Sequence, residues 1–166
     1  MKSLPRALLF DLDDTIVRES AGDENLWAEL CGAFAAHAAR AGALLAVVTR
    51  TPSGGGPFPA AMIRVDDVAA ALARCGAYAR QRIRGKVVAI TGSAGKTTTK
   101  EFVAAGLGAT AKVHRSAGNL NNELGLPLSL LSCPDDAEAA VFEMGMNGPG
   151  QIAFLARLAD PDVALV

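Results

Sequence analysis

The apolar run Val87-Val88-Ala89-Ile90 feeds directly into Thr91-Gly92-Ser93-Ala94-Gly95-Lys96-Thr97-Thr98-Thr99, and no other stretch limits the fold as tightly. β-Branched residues favour an extended strand, and the glycine-punctuated turn leads into a helix opened by Lys-Thr-Thr. Strand, turn and helix in this register form a phosphate-binding loop. Glycines let backbone N–H groups approach phosphate oxygens without a Cβ in the way. The helix start adds unpaired N–H groups and the positive end of its dipole. On this reading Gly92, Ser93, Ala94, Gly95, Lys96, Thr97 and Thr98 hold ATP. Lys96 reaches the β- and γ-phosphates and the Thr97 hydroxyl sits on Mg2+. The pattern is narrower than the general phosphate loop, because Ile90 stands where the first glycine usually falls. A tight glycine turn without a ligand is the competing reading.

Around this loop, short apolar runs alternate with helical periods. Strands are predicted at Ala7–Phe10, Leu44–Val48, Met62–Val65, Lys86–Ile90, Ala111–His114, Ala139–Glu143 and Val163–Val166. Helices are predicted at Asn25–Arg40, from a cap at Asp66 to about Arg82, and at Thr97–Leu107, Asn122–Leu131 and Gln151–Leu158. In the second of these, Val68, Ala71, Leu72 and Cys75 are predicted to face inward, and Lys100 and Glu101 to lie on the exposed side of the third. The stretch from Thr51 to Pro59, with three consecutive glycines and three prolines, is the strongest break. Strands alternating with helices imply an α/β fold, a parallel sheet in three layers. The chain ends on an apolar strand, which reads as a partial version of something longer.

Bulk properties narrow the class. With 166 residues there is material for one ordinary domain with a real core, or for one domain plus a fragment. Half the chain is apolar (51%) but only 5% is aromatic, so Ala, Val and Leu must build the core. A net charge of −1 gives no global field for nucleic acid or an anionic membrane. No apolar run approaches the ~20 residues of a membrane span. Cys31, Cys75 and Cys133 lack metal-ligand spacing and read as buried thiols of a reducing compartment. The expectation is a cytoplasmic protein. His37 and His114 are isolated and read as surface or cap residues.

Two further blocks follow the loop. In Gly118-Asn119-Leu120-Asn121-Asn122-Glu123-Leu124-Gly125, three amides and a carboxylate crowd into five positions. They read either as ligand contacts or as turn and cap chemistry. In Glu143-Met144-Gly145-Met146-Asn147-Gly148-Pro149-Gly150, a carboxylate ends an apolar strand beside a glycine loop, where open α/β sheets bind ligands. Glu143 suits a hard cation such as Mg2+, or else caps a neighbouring helix.

Together T-G-S-A-G-K-T-T-T-K-E (91–101), G-N-L-N-N-E-L-G-L-P (118–127) and E-M-G-M-N-G-P-G-Q-I (143–152) resemble the central ATP-binding domain of the Mur ligases. The closest branch joins D-Ala-D-Ala to a UDP-linked muramoyl tripeptide. Weaker similarity runs back through residues 65–72 and 41–50. The resemblance implies a partial, phosphate-loop-type central domain over 85–166, with 41–84 as the end of an N-terminal domain and its lead-in helix. It also implies ATP-driven amide formation through an acyl phosphate, in peptidoglycan precursor synthesis. Lys96 and Glu143 would then be catalytic, Thr97 and Glu143 would hold Mg2+, and Asn119, Asn121 and Asn122 would contact or position substrate. The chain departs from the family pattern at Gly148, where many relatives carry histidine, and at Gln151, where glutamate is usual. It also stops before the family's carbamylated lysine and C-terminal domain.

Residues 1–40 read differently. Leu8-Leu9-Phe10-Asp11-Leu12-Asp13-Asp14-Thr15 is a strand ending in D-x-D-x-T, which resembles the first motif of the haloacid dehalogenase-like hydrolases. That resemblance implies Asp11 as a phosphoryl-accepting nucleophile, Asp13 as general acid/base, and both near Mg2+. No lysine lies between Thr49 and Asp66 to complete the set. Residues 1–40 are thus either a fused hydrolase segment or a divergent small α/β N-terminal domain. The three function classes are a Mur-type ligase fragment, an Asp11-dependent phosphohydrolase, and an inert nucleotide-binding remnant.

Overall fold

A computed structural model describes residues 8–10, 45–49 and 61–166, in two compact units, 1–71 and 72–166. The first unit contains a parallel sheet of β1 (Leu8–Phe10), β2 (Leu45–Val48) and β3 (Ala61–Arg64), in that order. Leu8 lies opposite Leu45, and Leu45 opposite Ala61. Each strand falls on a predicted apolar run, because β-branched and aliphatic residues fit a pleated, covered surface. The Val65 N–H donates to the Val48 carbonyl (2.9 Å) just past the paired residues. Asp11, Asp13, Cys31, His37, the predicted helix over 25–40 and the loop over 51–59 lie outside the described residues.

Helix α1 spans Val68–Arg82. Its cap is Asp67 and not Asp66, since the Asp67 carboxylate accepts the Ala70 N–H at 2.9 Å. Its buried positions are Val68, Leu72, Gly76 and Ala79, so Cys75 is exposed where an inward side chain was predicted. The cause is Gly76, whose missing side chain admits Pro127. A Cβ there would sit 2.8 Å from the Pro127 Cα. The expectation of buried thiols fails at Cys75. Cys133 is half-buried, and burial, followed by the charge of Asp135, pushes its thiol up to about 11.

The second unit is a four-stranded sheet of β4 (Lys86–Ile90), β5 (Val113–Arg115), β6 (Ala139–Glu143) and β7 (Val163–Leu165). The order is β5-β6-β4-β7, and every pairing is parallel. Helices α2 (Lys96–Gly108), α3 (Gly125–Leu131) and α4 (Gln151–Ala159) connect the strands. Side chains alternate across a strand, so β4 and β6 feed two cores. Val88, Ile90 and Val141 pack with Ala104, Val103 and Leu107 of α2. On the other face Val87, Ala89, Ala140 and Phe142 pack with Ala79, Leu126, Leu130 and Leu155 from α1, α3 and α4. This is the three-layer arrangement that the alternating pattern predicted.

Most boundaries fall within one residue of the prediction, and two starts moved further. β5 starts two residues later than predicted, and α3 starts at Gly125 and not Asn122. The Asn122 side-chain oxygen accepts the N–H groups of Leu124 (3.2 Å) and Gly125 (2.8 Å), an Asx turn that delays the helix. Because β4 and β6 are central and in register, their C-terminal residues Ile90 and Glu143 lie side by side.

Candidate functional site

The loop between β4 and α2 is built as the glycine pattern requires. Gly95, immediately before α2, has φ +75°, a left-handed conformation that strains any L side chain. Its carbonyl accepts the Thr99 N–H (2.9 Å), leaving the first N–H groups of α2 pointed out of the helix. Ser93, Ala94, Gly95, Thr97 and Thr98 are exposed, whereas Gly92 and Lys96 are half-buried. The Lys96 ammonium folds back across the loop to the Gly92 carbonyl at 2.8 Å. Thr91 donates its hydroxyl to the Met144 carbonyl (3.0 Å) and the Met144 N–H donates to Ile90 (2.8 Å). These two bonds tie the root of the loop to the end of β6.

Glu143 is the electrostatic centre. It is 3% exposed, yet its carboxylate receives only neutral donors among the described residues. The Thr97 hydroxyl donates to Oε2 at 2.8 Å and the Asn121 amide donates to Oε1 at 2.8 Å. Its backbone N–H donates to the Ser116 hydroxyl at 3.2 Å. A buried carboxylate held by neutral donors alone keeps an uncompensated charge, which is costly without a cation. The Thr97 and Glu143 oxygens are hard donors set side by side, as Mg2+ requires. Among the described residues no cluster of three or more His, Cys, Asp or Glu could hold a metal ion. A cation here would therefore draw its remaining ligands from water and phosphate, the usual habit of Mg2+.

The three amides go three ways. Asn121 points at Glu143, and its backbone carbonyl accepts the Gly145 N–H at 2.7 Å. A Cβ on Gly145 would come within 3.1 Å of the Asn121 amide, so this glycine makes room for it. Asn122 spends its side-chain oxygen on the turn before α3, and Asn119 is exposed. Gln151 accepts the N–H groups of Asn147 (2.6 Å) and Gly148 (3.0 Å), shaping the turn before α4.

Two polar residues of this region were not foreseen. Ser116 is buried against Glu143, and Lys100 is 1% exposed, not on the solvent side of α2 as predicted. Its ammonium donates to the carbonyls of Ser116 (2.9 Å) and Gly118 (3.4 Å) and pairs with Glu101 at 3.3 Å. The available signal was its position, four residues before the buried Ala104 on one helical stripe. Charge argued the other way and misled. Glu101 is half exposed and also pairs with Arg115 at 2.9 Å. His114, predicted as a surface or cap residue, is half-buried beside Phe142 with Nε2 3.0 Å from the Ser129 carbonyl. Burial lowers its pKa.

Comparison with known proteins places these blocks. Residues 90–166 match the Mur ligase middle domain. Over 106 residues the chain is 46% identical to UDP-N-acetylmuramoyl-tripeptide–D-alanyl-D-alanine ligase of Bacillus subtilis (strain 168), covering 64% of this chain and 23% of that protein. Among solved structures, MurF from Acinetobacter baumannii aligns with a TM-score of 0.71 and 36% identity, over 81% of this chain and 29% of that one. MurF ligase from Thermotoga maritima, solved in complex with ADP, aligns with a TM-score of 0.66 and 35% identity, over 80% and 30%. The chain thus spans about a quarter of the length of these relatives.

Proposed function

We propose that this chain, whose residues 90–166 match the Mur ligase middle domain, supplies the ATP-binding part of a D-alanyl-D-alanine-adding ligase. The observation that carries the reading is the buried Glu143 carboxylate, held among the described residues only by neutral donors and touching Thr97 of the phosphate loop. A lone buried anion next to a phosphate loop suits a site whose cation arrives with the nucleotide.

In this reading Gly92 to Thr98 wrap the triphosphate with backbone N–H groups. Lys96 leaves the Gly92 carbonyl for the β- and γ-phosphate oxygens. Thr97 and Glu143 would hold Mg2+, which offsets phosphate charge when bound. Phosphoryl transfer needs little covalent help, so these residues act by position and charge. A carboxylate oxygen of the muramoyl peptide bonds to the γ-phosphorus as its bond to the bridging oxygen breaks and ADP departs. The amine of D-Ala-D-Ala then attacks the acyl carbon. Phosphate leaves, and the amine loses a proton to give the amide. Asn119, whose side chain is exposed, is the amide of this block assigned to substrate contact. This chemistry belongs to cytoplasmic peptidoglycan precursor synthesis.

The test is calorimetric titration of Mg·ATP into the chain, paired with Lys96→Ala. Binding in the parent that is lost in the variant supports the reading. Equal binding by both, or none by a folded parent, sinks it.

A further inference from the structure

We propose that Lys100 is a positioning residue for the Glu143 carboxylate, working through the segment Ser116–Asn121; this rests on the nucleotide-site reading above. Lys100 lies on the inward stripe of α2 with Ala104, where an aliphatic side chain would pack without desolvating a charge. Among the described residues its ammonium makes no hydrogen bond to the phosphate loop. It spends its donors on the carbonyls of Ser116 and Gly118 and on Glu101.

Those two carbonyls open the segment that orders Glu143. Ser116 accepts the Glu143 N–H through its hydroxyl (3.2 Å) and donates its own N–H to Val141 (3.1 Å). Gly118, in the left-handed region at φ +52°, turns the chain toward Asn121, whose amide holds Oε1 of Glu143. The helix that carries Lys100 also carries Thr97, which holds Oε2. One lysine therefore locks together the two elements that grip opposite oxygens of one carboxylate. Replacing it by an apolar residue leaves two carbonyls unpaired, and the segment relaxes away from Glu143. Nucleotide phosphates would still meet the loop N–H groups. Only the cation's share of binding would suffer.

The experiment measures ATP affinity of the full chain by calorimetry, in Mg2+ and in EDTA, for the parent, Lys100→Met and Asn121→Ala. Groups that orient a metal ligand typically change metal affinity by ~10–100-fold when removed. The expected result for Lys100→Met is affinity in EDTA within about twofold of the parent, with the gain conferred by Mg2+ cut about tenfold there and in Asn121→Ala. General loosening of the fold would weaken binding equally in both buffers and leave that ratio unchanged. An unchanged ratio in Lys100→Met overturns the proposal. Where Lys100→Met melts below the assay temperature, Lys100→Gln takes its place, since it removes the charge and shortens the reach while staying polar. An unchanged ratio there is equally fatal. A parent that binds no ATP in either buffer instead defeats the nucleotide-site reading itself, and this inference with it.

Discussion

The two ends of the β4–β6 pair solve the problem of charge in opposite ways. At the N-terminal end, Lys86 meets Asp162 (2.7 Å), Lys112 meets Asp136 (2.9 Å), and Arg82 pairs with Asp135. These are exposed pairs of opposite sign, each of which solvent would otherwise hydrate. At the C-terminal end, the buried carboxylate of Glu143 faces a hydroxyl and an amide, Lys96 points at a carbonyl, and Lys100 divides its ammonium between two carbonyls and Glu101. Charge is cancelled locally at one end, whereas at the other the Glu143 carboxylate has no cationic partner among the described residues. Exposed pairs contribute little because water screens them. A buried, uncancelled carboxylate costs stability, and it is kept where something charged is to be bound.

Breaking the open end should produce the largest effect. Lys96→Ala removes the loop's only ammonium, and charge-assisted hydrogen bonds worth ~1.5–3 kcal/mol imply a loss of about 10–100-fold in ATP affinity, read by calorimetry. Glu143→Gln keeps the shape and the Thr97 contact but removes the charge. It should erase most of the Mg2+ dependence of ATP binding while leaving binding in EDTA near the parent value, since the loop N–H groups are untouched.

A control on the fold lies between the two ends. Leu126 is fully buried in the core shared by α1, α3 and α4, and Leu126→Ala should cost ~2–5 kcal/mol in denaturant unfolding. Binding affinity of the folded fraction should hold, which separates scaffold from site.

The closed end should answer mainly to pH. The Lys86 hydrogen bond, followed by the Val87 N–H, holds the Asp162 carboxyl below its ordinary value of 3.8. That contribution is present above the unfolded carboxylate value and is lost as pH falls through the lowered folded one. Lys86→Met should therefore flatten the loss of Tm below about pH 4 and lower Tm only slightly at pH 7. His114 gives the smallest signal. Burial lowers its pKa, so the unfolded chain takes up its proton first, and stability declines as pH drops through about 6.5. His114→Phe should remove that segment of the pH–Tm curve. An unaltered curve would show that the ring charges freely in the folded state.

Local periodicity and turn chemistry were enough to read seven strands, the glycine turn that opens α2 and the two later blocks from residues alone. A strand followed by glycines and Lys-Thr is a short-range pattern, and its geometry is decided within about a dozen residues. The match to the Mur ligase middle domain rests on the same short blocks in order. What tertiary structure decided was the use of polar groups that periodicity leaves ambiguous. Asn121 and Asn122 are neighbours of one type, yet one holds Glu143 and the other caps a turn, because only the first meets the end of β6. Cys75 lost its inward place to Gly76, whose missing side chain lets Pro127 approach. Lys100 is buried because carbonyls from residues 116 and 118 wait above α2, and partners sixteen and eighteen positions away leave no trace in helical spacing. Backbone conformation is set by near neighbours, whereas the fate of a charge depends on whatever the folded chain brings to meet it.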